Sequence, residues 1–451
     1  MNIGSCWLFE QELDLDRVKA EFEKMAFDPI NRGKFRQFAN QKLGQYTWSE
    51  VPNFSIDDHV HSLSLGQDAS EAALRELVAE LACRPMARDR PLWHAYAINH
   101  LSVGLSQPSP ASLPSSRQPY VCRSAVVTFF HHAITDGQGG VYAALRTTAN
   151  AATNAQHTGS GAARRPAVSH GGSLSSSLLR LPSRLGSLLL MAALLLIGTL
   201  RMLLMYLKVM VSSKRTFTAP TASIQKAVAW SQPISLATVK QLKEKTGCSV
   251  NDIIVTTLCI ALRLYLQDQQ QFDGCEDDLL VGIPASVRAP SDHSLSNQVS
   301  IVNLYLPIRL TDPIRCLRTI QSRMNRLKNG PDVPLGGYFL RFFGSLPSIL
   351  INESITTWFL SKYHAVFTNV PGPAEPLVFA GQVVRHYAPI IPGFTPGGLG
   401  LAIISYGDSV TICIQCDKPA KGPSVAAQIS DNYFHAAFEE LSSTILLQRF
   451  A

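Results

Sequence analysis

Residues 120–137 read YVCRSAVVTFFHHAITDG. The first eleven, Tyr120 to Phe130, are dense in β-branched and aromatic side chains, which is the composition of a largely buried strand. Gly137, Gly139 and Gly140 then break the pattern. Between strand and glycines stands His131-His132-Ala133-Ile134-Thr135-Asp136-Gly137. Successive strand side chains point to opposite faces, so only one of two adjacent histidines can face a given cavity and the other is left to structure. A neutral imidazole with a pKa near about 6.5 is suited to take a proton from a hydroxyl as that oxygen attacks a carbonyl. An Asp one turn further on can lock ring tautomer or backbone geometry, and Gly137 leaves room for chain turning or close ligand approach. A bare His-His at a strand end is also the ordinary place for one satisfied core histidine and one exposed one. No third and fourth ligand lies at useful spacing, so no metal site is expected.

Outward from this stretch the chain reads as mixed α/β in both halves. From Glu71 to Cys83, apolar Ala72, Ala73, Leu77, Val78 and Leu81 recur at helical spacing, and a helix should end near Arg84-Pro85. Leu101 to Arg117 mixes Ser, Pro and Gly and reads as an inserted surface loop. Arg146 to Ser177 is Ala/Thr/Gly/Ser-rich and reads as a linker. Beyond Lys214, Ile254, Leu258, Ala261, Leu262 and Tyr265 share one helical face, entered through Ser249, Asn251 or Asp252 as N-cap. Strand-like runs follow at Leu279 to Ile283, Val299 to Leu306, Ala402 to Ser405 and Val410 to Ile414. No tandem repeat is present. The organisation expected is an N-terminal domain over 1–150, a linker over 151–215 and a C-terminal domain over 216–451.

At 451 residues, with ~150 per domain as a prior, two or three packed units are expected, which excludes a peptide hormone or a lone binding module. Charged residues make up 16% against 46% hydrophobic, so the chain buries a large core and is not intrinsically disordered. Lys plus Arg less Asp plus Glu is 40 − 33 = +7, without an aromatic-spaced basic stripe, so no nucleic acid is expected and the basicity is read as facing a membrane or an anionic cofactor. Nine scattered cysteines, with Cys413 and Cys416 the one close pair, fit a reduced, cytosol-facing compartment. Glu10, Glu12, Asp14 and Asp16 interrupt the N-terminus too early for a secretory signal.

The seven-residue pattern at His131 resembles the HHxxxDG signature of the acyl-CoA-dependent acyltransferase superfamily. Asp89-Arg90-Pro91-Leu92-Trp93 and Asn251-Asp252-Ile253-Ile254 look like the PLW and ND motifs of its wax ester synthase/diacylglycerol acyltransferase family. Pro284-Ala285-Ser286-Val287-Arg288, Asn297-Gln298-Val299-Ser300 and Thr368-Asn369-Val370-Pro371-Gly372-Pro373 resemble its C-terminal blocks, in the family's order. The DFGWG motif of plant BAHD transferases is absent. The resemblance implies an α/β fold of the α+β type, with two chloramphenicol-acetyltransferase-like domains forming a pseudo-dimer around an active-site tunnel. It implies His132 as general base, with His131 supporting and Asp136 structural. Trp93 reads as a core aromatic ahead of a substrate contact; Asn251 and Asp252 read as a helix cap or as shaping the tunnel, with Pro91 and Leu92 in the same motif set. Arg288 either pairs with Asp136 across the halves or lies on the surface.

The activity implied is transfer of a fatty acyl group from acyl-CoA, as co-substrate, to a long-chain alcohol or a diacylglycerol, with no permanently bound cofactor. No GxSxG elbow is present, so direct transfer is expected over a covalent serine route. His131 and Asp136 also satisfy the HxxxxD spacing of glycerophosphate-type acyltransferases, whose arginine-bearing motif is not apparent, and a non-catalytic lipid-associated scaffold is the third reading.

Leu185 to Leu200 are sixteen residues without charge, Arg201 interrupts, and Met202 to Leu207 continue before Lys208, short of the ~20 that cross a hydrocarbon core. One full span would place two halves of one tunnel on opposite sides of the bilayer. A monotopic or re-entrant helix over about 185–211, on the cytosolic face of the endoplasmic reticulum or a lipid droplet, is therefore expected ahead of a single pass.

Overall fold

The computed structural model describes residues 2–42, 45–106, 119–146, 148, 196, 200, 204, 207, 209, 217, 225–270, 278–288, 292, 294–345, 358, 360–391 and 397–447. The linker and apolar segment expected over 151–215 thus lie outside the described residues, apart from Leu196, Leu200, Leu204, Leu207 and Val209, each helical.

Two mixed sheets organise the chain. The first has the order β15-β1-β7-β5-β4, with β6 on β5: β1 is Asn2–Phe9, β4 Val60–Ser70, β5 Trp93–Leu105, β6 Tyr120–Cys122, β7 Ser124–His131 and β15 His386–Ile390. The second has the order β11-β10-β12-β16-β17-β8, with β9 on β17. Its strands are β8 Lys226–Trp230, β9 Ile234–Ser235, β10 Leu279–Ser286, β11 Val299–Leu306, β12 Ala365–Pro371, β16 Leu399–Tyr406 and β17 Ser409–Asp417. Two ribbons complete the strands, β2 Gln37–Lys42 with β3 Gln45–Glu50 and β13 Val378–Phe379 with β14 Gln382–Val383.

The stretch 120–137 reads through almost as its composition implies. The chain breaks at Arg123, whose N–H donates to Phe9 O and whose carbonyl accepts from Leu101 N, and so passes from pairing β5 as β6 to lying between β1 and β5 as β7. β7 is buried on both faces because strands flank it and helices cover it. The loop expected from Leu101 is corrected at its head. Leu101, Val103 and Leu105 alternate and are buried, so these residues extend β5, and the insertion starts later.

Helix α1, Leu15–Phe27, is capped by Asp14 and buries Val18, Phe22, Met25 and Ala26 under the first sheet. Helix α2, Glu71–Cys83, starts at the Ser70 cap and stops at Arg84, which the following Pro85 holds extended at ψ 125°. Helix α3, Gly137–Arg146, follows the histidines, and α4, Leu236–Thr246, opens the C-terminal helices. Helix α5, Val250–Asp268, begins with a capping box in which Ser249 Oγ accepts from Asp252 N and Asp252 Oδ2 accepts from Ser249 N. It is the one helix of the described residues long and apolar enough to cross a membrane, yet 78% of that window is buried inside the protein, where it forms the core of the C-terminal half. Helices α6, Pro313–Asn329, α7, Asp332–Ser345, and α8, Phe434–Leu447, pack around it and along β11.

The sheets follow sequence halves with one exception. β15, far into the C-terminal half, adds to the edge of the N-terminal sheet, antiparallel to β1 with Gly4 opposite Ile390 and Leu8 opposite His386. The core beneath is continuous between the halves, since Trp230 and Cys413 of the second sheet pack with Cys6 and Val127 of the first and with Leu74 of α2.

Candidate active site

The end of β7 delivers the histidine pair to the junction of the halves, and the PLW segment sets its height. His131 N donates to Leu92 O at 2.8 Å, so Leu92, itself buried, fixes the strand end. Pro91 O accepts from Trp93 N at 2.9 Å, turning the chain into β5. Trp93 is 2% exposed, donates from Nε1 to Phe35 O at 2.8 Å and stacks on His59 at 4.7 Å. It is a core aromatic that also forms part of a cavity wall.

That cavity, about 720 Å³, is lined from both halves, by β1, α1, β7 and α3 on one side and by β10, β11, β12 and β15 on the other. His132, Asp136, Gly137, Trp93 and Arg288 are among its lining residues. His131 instead turns its Nδ1 to Ala133 N at 3.1 Å, and burial pushes its pKa down to about 4. The two histidines therefore diverge, as adjacent strand residues must.

His132 Nδ1 lies 2.8 Å from Asn297 Oδ1, while Asn297 Nδ2 donates to His132 O at 2.5 Å. The second bond orients the amide, so its oxygen faces the ring. Only a protonated Nδ1 can meet that oxygen, which leaves Nε2 as the basic nitrogen. Burial lowers the His132 pKa, opposed by bonds to its own carbonyl and to Asn297 and by the charge of Asp136. The ring is thus held neutral near neutral pH.

Asp136, 3% exposed, is fully engaged. Its Oδ1 accepts from Gly139 N at 2.8 Å at the start of α3, and its Oδ2 accepts from Arg288 Nη2 at 3.0 Å and Gln298 N at 3.1 Å. Arg288 donates as well to Ser294 O and Ser296 O, both at 2.6 Å. The pair is buried, with Arg288 Nε the one atom of the two charged groups that finds no partner among the described residues, and it ties the histidine loop to the C-terminal half without a hydrogen bond to His132. Lys34 makes a second tie, donating to Ile134 O at 3.0 Å and Leu295 O at 2.6 Å, and desolvation lowers its pKa, with Arg32 and Arg288 adding to the effect.

Two assignments shift. The backbone freedom read at Gly137 belongs to its neighbours: a Cβ at Gly139 would stand 2.0 Å from Thr135 Oγ1 and one at Gly140 2.5 Å from Phe130 Cζ, whereas at Gly137 it would meet Val370 at an ordinary 3.6 Å. Gly137 remains a wall of the cavity. Asp252 is the third helical residue of the capping box whose N-cap is Ser249, buried and away from the cavity lining, while Asn251 Oδ1 accepts from Nδ2 of Asn369, a lining residue, at 2.9 Å. Lys34 escaped assignment from sequence, since a single Lys after a turn carries no periodicity, and Asn297 was marked only as part of the block Asn297-Gln298-Val299-Ser300, with no role at the site. Among the described residues no cluster of three His, Cys, Asp or Glu could hold a metal ion.

The model of the wax ester synthase/diacylglycerol acyltransferase catalytic domain matches residues 3–105 and 121–254, and that of the family's C-terminal domain matches 295–441. The break from 106 to 120 falls on the Ser/Pro-rich insertion. A Mycobacterium tuberculosis protein named as a diacylglycerol O-acyltransferase, Rv1760, is 26% identical over 397 residues, covering 82% of this chain and 72% of its own. In structure, the wax ester synthase/diacylglycerol acyltransferase from Marinobacter aquaeolei VT8 aligns with a TM-score of 0.60 at 18% identity, over 99% of this chain and 95% of that one. A variant of the starter condensation domain of rhizomide synthetase, in complex with C8-CoA, aligns with a TM-score of 0.54 at 15% identity, over 98% and 89%. The fold is accordingly the two-domain one that condensation domains share.

Proposed function

The chain belongs to the wax ester synthase/diacylglycerol acyltransferase family and is an acyltransferase, and from that premise we propose that it esterifies a lipid alcohol with the acyl group of an acyl-CoA, His132 acting as base. The observation that carries the reading is the pinned tautomer of His132 on a cavity lined by both halves. The acceptor hydroxyl gives its proton to Nε2 as its oxygen bonds to the thioester carbon. The tetrahedral oxyanion collapses, the C–S bond breaks, and the leaving thiolate takes the proton back from the imidazolium as free CoA. No covalent enzyme intermediate is needed, and acyl-CoA is a co-substrate, not a resident cofactor. Asp136 and Arg288 hold the loop that carries the base.

The acceptor is a long-chain alcohol, giving wax ester, or a diacylglycerol, giving triacylglycerol; the name of the mycobacterial relative supports the second. Both are nearly insoluble in water, which places the enzyme at a membrane surface, read here as the cytosolic face of the endoplasmic reticulum or of a lipid droplet. Mass spectrometry of neutral lipids made by purified protein from one acyl-CoA, with hexadecanol and diacylglycerol in competition, tests the assignment. A wax ester, a triacylglycerol or both is expected. Folded protein that acylates only glycerol phosphate, or nothing, overturns it.

A further inference from the structure

One face of the N-terminal sheet forms a wall of the cavity that His132 lines. It carries Ser5 and Trp7 of β1, Thr128 of β7 and Tyr387 of β15, with Ser5 opposite Thr128 and Trp7 opposite Tyr387 in the strand registers. Strand alternation puts Ile3, Phe130 and Pro389 on the same face, and all three are apolar. The polar side chains therefore stand together on a surface otherwise fitted to hydrocarbon.

Ser5 Oγ and Thr128 Oγ1 share a hydrogen bond of 2.9 Å. Burial pushes the Tyr387 hydroxyl up to about 12, and its contacts with Trp7 and Ser5 oppose the push. The Trp7 ring meets Tyr387 edge-on at 5.6 Å and is 2% exposed. Its indole N–H is near the tyrosine hydroxyl without reaching hydrogen-bond geometry, so the buried Nε1 has no partner among the described residues. A chain of hydroxyls running from Tyr387 through Ser5 to Thr128 meets all but one of its own protons, and the indole N–H adds a second unmet donor. A buried donor left unmet is destabilising, so both call for an acceptor supplied from the cavity.

The chemistry of that acceptor is constrained. Among the described lining residues the one Lys or Arg is Arg288, which Asp136 holds, so the wall offers no cation to a phosphate or a carboxylate. A neutral carbonyl oxygen, with two lone pairs, fits two convergent donors. Thr128 stands four residues before His132, about 13 Å along the strand. A hydrogen bond of about 2.9 Å at each end leaves about 7 Å between them. That is the stretch from the free hydroxyl of a 1,2-diacylglycerol to the carbonyl of its farther ester, with the glycerol backbone extended. A long-chain alcohol has only carbon at that distance.

We propose that Ser5, Trp7, Thr128 and Tyr387 form a subsite for an ester carbonyl of the acceptor, which makes a diacylglycerol, ahead of a long-chain alcohol, the substrate this cavity prefers. The proposal rests on the lipid-alcohol reading for the reaction, and on the unmet donors alone for the preference. The test compares the full unaltered chain with Thr128→Val/Tyr387→Phe, which removes both ends of the hydroxyl chain at nearly constant shape. Each protein is given 1,2-dioleoylglycerol, hexadecanol, and the 1,2-dioleyl diether, which keeps the hydroxyl and both chains but lacks the carbonyls. The unaltered protein should favour the diester over the diether in kcat/KM. The double variant should lose about fivefold or more of that preference, the effect of a typical hydrogen bond, and its preference for the diester over hexadecanol should fall in step. A ratio within each protein cancels any loss of folded enzyme. The same diester-to-diether ratio in both proteins overturns the proposal and leaves the donors to a bound water. If neither protein acylates any of the three lipids, their retention by protein in detergent micelles without acyl-CoA decides. Diester kept over diether by the unaltered protein alone leaves the subsite standing while the acyl-transfer assignment falls; equal retention of the two overturns the subsite as well.

Discussion

At the scale of single residues, the proposed reaction depends on a histidine that must be neutral, in one tautomer and fixed in direction. His132→Ala is expected to lower kcat by about 10²- to 10⁴-fold, the usual contribution of a positioned base, with melting retained; His131→Ala, which lies off the cavity, should cost less. The reverse order in two well-folded variants would move the base to His131. Asn297 is the sharper case because it touches the base from the other half of the molecule. Its bond raises the His132 pKa, while burial, the larger effect, lowers it. Activity should therefore rise with pH along an acid limb below the ordinary histidine value of about 6.5. In Asn297→Leu that limb should move to still lower pH while kcat falls, since the ring loses both its proton-side partner and its tautomer lock. A fall in rate with the limb unmoved would reduce Asn297 to a packing residue. His132, the proposed base, was legible in sequence because it sits in a dense local pattern. Its orienter was not, because His132 and Asn297 are 165 residues apart and only folding puts them in contact.

At the scale of elements, the strands around the site were legible where composition alone forces burial. β7, β10, β11, β16 and β17 are runs of β-branched and aromatic residues, and each appears within a few residues of its expected bounds. What composition does not encode is the choice of partner. Nothing in His386-Tyr387-Ala388-Pro389-Ile390 tells that it leaves its own half to pair with β1, since that choice is set by long-range register. The strand also brings a burden into the N-terminal core. His386 is 2% exposed, its Nε2 has no hydrogen-bond partner among the described residues, and burial lowers its pKa to about 4. Between about pH 6.5 and pH 4 the unfolded chain binds this proton and the folded chain does not, so folded stability falls with pH through that window and levels off below it. In His386→Leu this proton is gone from both states. The fall in Tm from pH 6.5 to 4 should then be shallower than in the unaltered protein, as differential scanning calorimetry would show. An unchanged slope would mean that His386 is charged in the folded state or that the strand opens before the core does.

At the scale of the whole molecule, the halves are joined by more than contact. They share a sheet through β15 and β1, an ion pair through Asp136 and Arg288, and a hydrogen bond between His132 and Asn297. Breaking a buried pair of this kind alone costs about 3–5 kcal/mol, so the halves are one folding unit. That unity constrains the topology of the connecting segment. A single crossing between residues 146 and 225 would separate β1 from β15 by the thickness of a bilayer, which their hydrogen-bonded register forbids. α5, the one described helix that length and composition would allow to cross, is committed to the core of the C-terminal half. On the membrane reading proposed above, the connecting segment lies on the bilayer or re-enters it and does not carry one half across. Tags placed at Met1 and at Ala451 and exposed to protease on sealed microsomes should both be cleaved when the protein is made on the cytosolic side. One tag protected and the other cleaved would require the two sheets to part, and would show that the joined sheets described here are not the arrangement the protein adopts in the membrane.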